Sequence, residues 1–352
     1  MYELPDLKTA QVKGKKVFLR TDIDVPLSEN GQIADDIRLK DSLETLNYLL
    51  QNRAQVILGG HLGRPEGTEN NLSVEPIAKW YSRELKVQSE NLKVIKINGL
   101  KGWEISENLT VLENLRFHKE EEENDQKFSK KLASLAQIYV NDSFASSHRE
   151  HASIVGIARL LPHFAGIRLK KEVEVLSNVL ENPKRPLVVI IGGAKIETKL
   201  PLVEKMHKLA DYVLVGGKIA EETRVLLKVQ HEKVESRKSA LLVADLNNEE
   251  TDITPKDAEN FLQIINLAQT IVWNGPVGKT EGNEKNLEIG TAKLAKGIAE
   301  SGAYTVVGGG DTIGYLKKIG LLEKFSFVST GGGAMLEFLS GEKLPGIEAL
   351  TD

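Results

Sequence analysis

At 352 residues the chain is long enough for two domains, and its 41% hydrophobic and 27% charged residues give the balance of an ordinary globular protein. A formal net charge of −4 gives no bulk attraction to nucleic acid or to an anionic membrane, so neither is expected as a partner and any anion site must come from local clustering. The absence of cysteine excludes disulfides, thiolate nucleophiles and cysteine-ligated metals. No secretory core follows Met1 and no apolar run is long enough to span a bilayer, so a cytoplasmic location is expected.

Short β-branched runs recur in chain order at 17–19, 56–58, 94–97 and 138–140, with the segment 111–115 leading to Arg116. They resume at 188–191, 212–215, 241–244, 270–273, 304–307 and 327–329. Most are uniformly apolar, which reads as strands buried on both faces of a parallel sheet. Helix-period stripes lie between them: Leu39, Leu43, Leu46 and Leu50, then Phe128, Leu132 and Leu135. The run Glu120 to Glu123 reads as a solvated first helical turn. A long stripe of Leu169, Val173, Leu176 and Leu180 stops at Asn182-Pro183 and separates two sets of strands. The expected fold is α/β: two Rossmann-like lobes, each a parallel-sheet three-layer α/β/α domain, joined by a long helix. The expected boundaries are 1–166 and 184–343 for the lobes and 167–183 for the helix.

Ligands of open parallel sheets bind beyond the carboxyl ends of the strands. In the first half those ends run into cations and carboxylates: Arg20, Asp22 and Asp24, then His61 and Arg64, then Arg116, then His148 and Arg149, with Arg38 at a helix start. Arginine's planar fork suits phosphate and carboxylate. Five arginines and two histidines in these positions point to a small-anion site. Asp22 reads either as an orienter of Arg20 or as an acceptor for substrate hydroxyls. With no HExxH pair and no cysteine, the histidines read as donors to an anion rather than as zinc ligands.

In the second half the strands feed glycine: Gly192-Gly193-Ala194-Lys195 with Lys199 beyond, Gly216-Gly217-Lys218, Asn274-Gly275, Gly308-Gly309-Gly310-Asp311-Thr312, and Thr330-Gly331-Gly332-Gly333. Glycine lets backbone N–H groups approach phosphate oxygens, and a helix opening there adds the positive end of its dipole. None of these loops is a GxxxxGK[ST] P-loop, and the triple glycine lacks the last position of a dinucleotide fingerprint. Asp311 at the helix start suits a phosphate group that carries Mg²⁺.

Together these stretches resemble phosphoglycerate kinase, collinearly across nearly the whole chain. The matching motifs are RTDIDVP from Arg20, HLGRP from His61, ENLRFH from Glu113, YVNDSF from Tyr139 and HREHAS from His148. In the second half they are GGAK from Gly192, WNGPVG from Trp273, GGGDT from Gly308 and STGGGA from Ser329. The resemblance implies 3-phosphoglycerate or 1,3-bisphosphoglycerate bound by Arg20, Asp22, Asp24, Arg38, His61, Arg64, Arg116 and Arg149. It implies ADP or ATP with Mg²⁺ near Gly192, Gly193, Lys199, Gly216, Gly217, Asn274, Gly275, Glu281, Gly308, Gly309, Gly310, Asp311 and Thr312, with Asp311 on the metal. Arg38, Lys195, Lys199 and the helix opening at Gly331 and Gly332 would serve the transferring phosphoryl group. A tail at 344–352 packing back on the first lobe, lobe closure before direct in-line transfer, and a monomer are also implied.

Four departures stand out. Asp24 and Ala145 replace the family's usual asparagine and glycine, and Lys279-Thr280 precedes Glu281 where a small or apolar residue and a phenylalanine are usual. Several tens of family residues are missing between Lys218 and Thr254. The phosphate-binding parts are therefore retained, while recognition of the base stays open. Besides the kinase reading, the alternatives are the same reaction with an altered nucleotide preference, a non-catalytic relative that binds the same anions, and a Rossmann dehydrogenase, which the incomplete fingerprint disfavours.

Overall fold

The computed structural model describes residues 2–87, 92–194, 196–230, 239–280 and 289–351. Contacts divide the chain into two units, Met1–Glu174 with Lys343–Asp352, and Val175–Glu342.

The first unit carries a seven-stranded sheet of order β3-β4-β5-β2-β1-β6-β7. Its strands are β1 (Lys16–Thr21), β2 (Gln55–Gly59), β3 (Lys93–Ile97), β4 (Leu100–Ser106), β5 (Leu109–Leu112), β6 (Ile138–Asp142) and β7 (His163–Ala165). Val17, Leu19, Val56, Leu58 and Val140 are buried, as strands covered on both faces require. The all-parallel expectation needs one correction. β4 runs antiparallel to both β3 and β5, and Val94 on β3 is 57% exposed. The sequence LKGWEIS of β4 alternates Lys101 and Glu104 with buried Leu100, Trp103 and Ile105, so this edge has one wet face.

The helices of this unit are α1 (Ile37–Gln51), α2 (Glu75–Glu84), α3 (Lys119–Glu122) and α4 (Gln126–Ala133), followed by the start of α5 (Ile167–Glu181). The Leu39 and Leu46 stripe of α1 is fully buried. Asp125 caps α4 by accepting from the Phe128 amide at 2.8 Å. The first amides of α5 are satisfied from elsewhere: Thr45 Oγ1 accepts from Ile167 N at 2.9 Å, and Asp142 Oδ1 accepts from Arg168 N at 3.0 Å. The unit boundary falls inside α5.

The second unit has six parallel strands in the order β10-β9-β8-β11-β12-β13. They are β8 (Leu187–Ile191), β9 (Tyr212–Val215), β10 (Ala240–Val243), β11 (Thr270–Asn274), β12 (Tyr304–Gly308) and β13 (Phe327–Ser329). Counted within the unit, this is the doubly wound order 3-2-1-4-5-6, whose direction reverses between β8 and β11. The helices are α6 (Ile196–Leu209), α7 (Ile219–Gln230), α8 (Pro255–Ile265), α9 (Ile289–Glu300), α10 (Gly310–Lys318) and α11 (Gly332–Ser340). Thr254 caps α8 through the Asp257 amide at 3.1 Å, with Pro255 at the first helical position. The short α12 (Pro345–Glu348) belongs to the first unit, where Leu344, Ile347 and Leu350 are buried and Gly346 N donates to Ser147 O at 2.8 Å.

Candidate active site

In the first sheet the strand order reverses at β1, which lies between β2 and β6. The carboxyl ends of those three strands bring Arg20, Asp22, Asp24, His61 and the 141–149 loop together. Arg20 is fully buried. Its Nε donates to Ser153 Oγ at 2.9 Å, and NH1 donates to Thr21 O at 2.6 Å and Ser143 Oγ at 3.2 Å. NH2 faces His61 Nδ1 at 2.9 Å. A guanidinium does not give up its proton, so His61 Nδ1 must accept and Nε2 carries the hydrogen. Burial, reinforced by Arg20, Arg116 and Arg149, holds the His61 pKa well below its usual value. His61 is thus a neutral donor through Nε2.

Asp22 spans the reversal point. Its carboxylate accepts from the Ser143 and Ser146 hydroxyls and from Ala145 N at 3.0 Å. These bonds go to the loop after β6, so Asp22 braces that loop rather than orienting Arg20. Ala145 contributes its amide from a short helical turn without a left-handed φ, which explains why glycine is not required there. Asp24 Oδ1 accepts from Gly63 N at 2.9 Å, and its Oδ2 lies 3.7 Å from Arg38 NH1. Arg38 NH1 also donates to the Asp24 carbonyl at 2.6 Å. Arg116 NH1 donates to Gly63 O at 2.7 Å, and its Nε lies 3.0 Å from Glu122 Oε1. Arg64 is exposed and Arg149 half-buried. The charge of Arg149 helps to depress the pKa of His61, His148 and His151, which sets it near all three.

Sequence reasoning placed Glu121 in a solvated turn, and the structure overturns this. Glu121 is fully buried; its carboxylate accepts from Ser153 N at 3.0 Å and from Ser153 Oγ at 2.5 Å. The chain Glu121–Ser153–Arg20–His61 is thus one buried network behind the histidine. Burial raises the Glu121 pKa, while Arg20 and the Ser153 bonds oppose the rise.

In the second unit the reversal point joins two glycine loops through their backbones. Gly192 and Gly275 approach so closely that a Cβ on either would collide with the other loop, and Gly275 has φ +89°. Lys199, 7% exposed, lies across both: Nζ donates to Gly192 O, to Asn274 O at 3.3 Å and to Asn274 Oδ1 at 3.2 Å. Thr312 Oγ1 accepts from Gly275 N at 3.0 Å, which ties the start of α10 to the same loop. A cavity of about 290 Å³ opens beside them, lined by Gly193, Gly217, Lys218, Pro276 and Asp311 among others. Gly216 packs on Val277, and Gly309 takes φ +94° so that Gly310 can open α10. α11 opens differently: its N-cap Gly331 has φ −77°, and the positive φ falls on Gly332 at +42°. Lys195 and Glu281 lie outside the described residues.

Asp311 is exposed in the first turn of α10 and faces this cavity. Among the described residues no group of three or more His, Asp or Glu side chains could cage a metal. One carboxylate beside backbone amides fits an Mg²⁺ that takes its other oxygens from phosphate and water.

The family model for phosphoglycerate kinase matches residues 7–241 and 222–342. A phosphoglycerate kinase of Dictyoglomus turgidum is 38% identical, covering 99% of this chain and 98% of its own. One from Leptospira biflexa is 39% identical with the same coverage. A relative from Nicotiana tabacum, named as cytosolic, is 37% identical over 98% of each chain. Two solved phosphoglycerate kinases share the fold: that of Coxiella burnetii (TM-score 0.83, 33% identity, 99% of both chains) and that of Pyrococcus horikoshii OT3 (TM-score 0.81, 31% identity, 99% and 98%). The Dictyoglomus alignment needs 396 positions for a chain of 352 residues, and the family match breaks where the sequence is short.

The matches over nearly the whole chain show the class, a phosphotransferase with a carboxyl group as acceptor. The chain belongs to the phosphoglycerate kinase family. Its reaction is the reversible phosphoryl transfer between 1,3-bisphosphoglycerate and Mg-ADP that yields 3-phosphoglycerate and ATP.

Proposed function

We propose that the first unit holds the phosphoglycerate and the second the Mg-nucleotide. The observation that carries this reading is the contrast at the two reversal points: cationic side chains on one sheet, backbone amides and an exposed carboxylate on the other. His61 donates through Nε2, and Arg38, Arg64, Arg116 and Arg149 supply charge. Arg20 is too deeply buried to touch the ligand and acts by fixing His61. Asp22 holds the loop that presents Arg149.

On the nucleotide side, the amides at Gly193, Gly217, Gly309 and Gly310 approach phosphate oxygens, and Asp311 holds Mg²⁺. The metal would neutralise charge on the phosphate oxygens. Lys199 braces the two glycine loops and leaves direct contact with the moving phosphoryl group to Lys195 and to the amides at Gly331 and Gly332. Substrate carboxylate and ADP oxygens are themselves the nucleophiles, so the protein supplies positioning and charge rather than a covalent intermediate. The relatives named as cytosolic support a cytoplasmic location.

Calorimetric titration of the full chain tests the division. Arg149→Ala should abolish 3-phosphoglycerate binding and spare Mg-ADP; Asp311→Ala should do the reverse. Loss of both ligands in either folded variant would sink the assignment.

A further inference from the structure

We propose that Asp24 is an affinity-setting residue that opposes the acidic substrate, because its carboxylate faces the same donors that the anion needs. This rests on reading the face at the ends of β1, β2 and β6 as the phosphoglycerate site. The side chain is fixed at one oxygen: Oδ1 accepts from Gly63 N at 2.9 Å. The other oxygen points at the cations, 3.7 Å from Arg38 NH1 and 3.9 Å from His61 Nε2. Both of those nitrogens bear hydrogen, His61 because Arg20 occupies its Nδ1. The backbone carbonyl of the same residue takes a second hold on Arg38 at 2.6 Å. The charge of Asp24 also acts on Arg116.

A substrate oxygen seated on Arg38 and His61 would therefore lie within a few ångströms of a carboxylate oxygen. Like charges that close, on a half-buried surface, repel appreciably. The site meets this cost with its surplus of arginine, so binding is weakened rather than abolished. Asparagine, the residue the family usually has here, would keep Oδ1 for the Gly63 amide and replace the charged oxygen with a neutral amide. Aspartate thus gives the same fold at residue 24 with a looser grip on the acid. The consequence is faster release of phosphoglycerate at a higher working concentration.

The test is calorimetric titration of 3-phosphoglycerate into the full chain as wild type, Asp24→Asn and Asp24→Ala, at low and at moderate salt. Asp24→Asn should bind about 5- to 20-fold more tightly at low salt, and the advantage should shrink as salt screens the repulsion. Asp24→Ala should also gain, by less, since the Gly63 amide loses its acceptor. In turnover, KM for phosphoglycerate should fall while KM for the nucleotide stays where it was. Unchanged or weaker binding by a folded Asp24→Asn overturns the inference. A gain in Asp24→Asn with a loss in Asp24→Ala also overturns it, because a hydrogen bond rather than charge would then be at work. Absence of 3-phosphoglycerate binding by the wild type overturns the site reading and the inference together.

Discussion

The two reversal points solve similar problems with different materials. The first unit builds its polar face from side chains: Arg20, Asp22, Asp24, His61 and Arg116 interlock through hydrogen bonds from three strand ends. The second builds from backbone: Gly192, Gly275 and Gly309 bring main chain against main chain, with Lys199 tied to the carbonyls. A side-chain site is vulnerable to truncation. A backbone site is vulnerable to a single added carbon.

The largest effect expected is therefore from adding one. Gly275→Ala would force a Cβ onto the Gly192 carbonyl and Lys199 Nζ at φ +89°. It should destabilise the second unit by about 3–5 kcal/mol, read as a fall in its denaturation midpoint. A midpoint within error of the wild type would break the backbone half of the comparison. Gly310→Ala is the control, because nothing lies within 4 Å of its would-be Cβ. Its stability should shift by less than about 1 kcal/mol.

Truncation in the first unit should come close behind. Arg20→Ala would strand Ser153, Ser143, His61 and the buried Glu121 together. A loss of about 3–5 kcal/mol in stability is expected, and phosphoglycerate affinity should fall with it although Arg20 touches no ligand. Arg38→Ala should leave the fold intact and cut turnover by about 10²- to 10³-fold; near-full turnover in a coupled assay would remove Arg38 from the reaction.

Near neutral pH the smallest effect is the one carried by His151, and it grows as pH falls. His151 sits beside Arg116, Arg20 and Arg149, and its burial with those charges pushes its pKa down to about 3. Its folded value lies below its unfolded one, so it contributes stability that is present above about pH 6.5 and lost as pH falls towards 3. His151→Gln removes that loss. Between those limits the stability difference between wild type and variant should change by up to about 1.4 kcal/mol per pH unit. Asp142 works in the other sense: burial raises its pKa to about 7, so its contribution declines as pH rises from about 4 to 7. Denaturant midpoints of the two chains across pH 4 to 8 separate the effects, and parallel profiles would remove His151 from the account.

How much of this was legible depends on how local each cause is. Strands β8, β9, β11 and β12 could be read from uninterrupted apolar runs, because burial on both faces leaves no other pattern. β4 could not, since its Lys101 and Glu104 face water on an antiparallel edge. β7 is only three residues long. The cations of the first site could be read because they follow strands, and strand ends are where open sheets bind ligands. That Arg20 lies beneath the site rather than in it could not, since its partners Ser143 and Ser153 lie more than 120 residues away. Glu121 was misread for the same reason: Ser153, which buries and satisfies it, lies 32 positions on. Lys199 could be placed near the glycine loops by spacing, but its engagement with carbonyls follows from the close approach of Gly192 and Gly275.

The grouping of residues 343–352 with the first unit has a consequence for how the molecule is made. Those residues leave the ribosome after all of 175–342, so the unit begun first is finished last. Until then, the surface by Ser147 and Ile154 that receives Gly346 and Ile347 stays uncovered, while the later unit already has its whole sequence. The polar network around Asn141, whose Nδ2 donates to Gly346 O at 3.3 Å, is completed only at that point. A chain stalled near Glu342 would carry every glycine loop yet leave Asn141, Ser147 and Ile154 without their last neighbours.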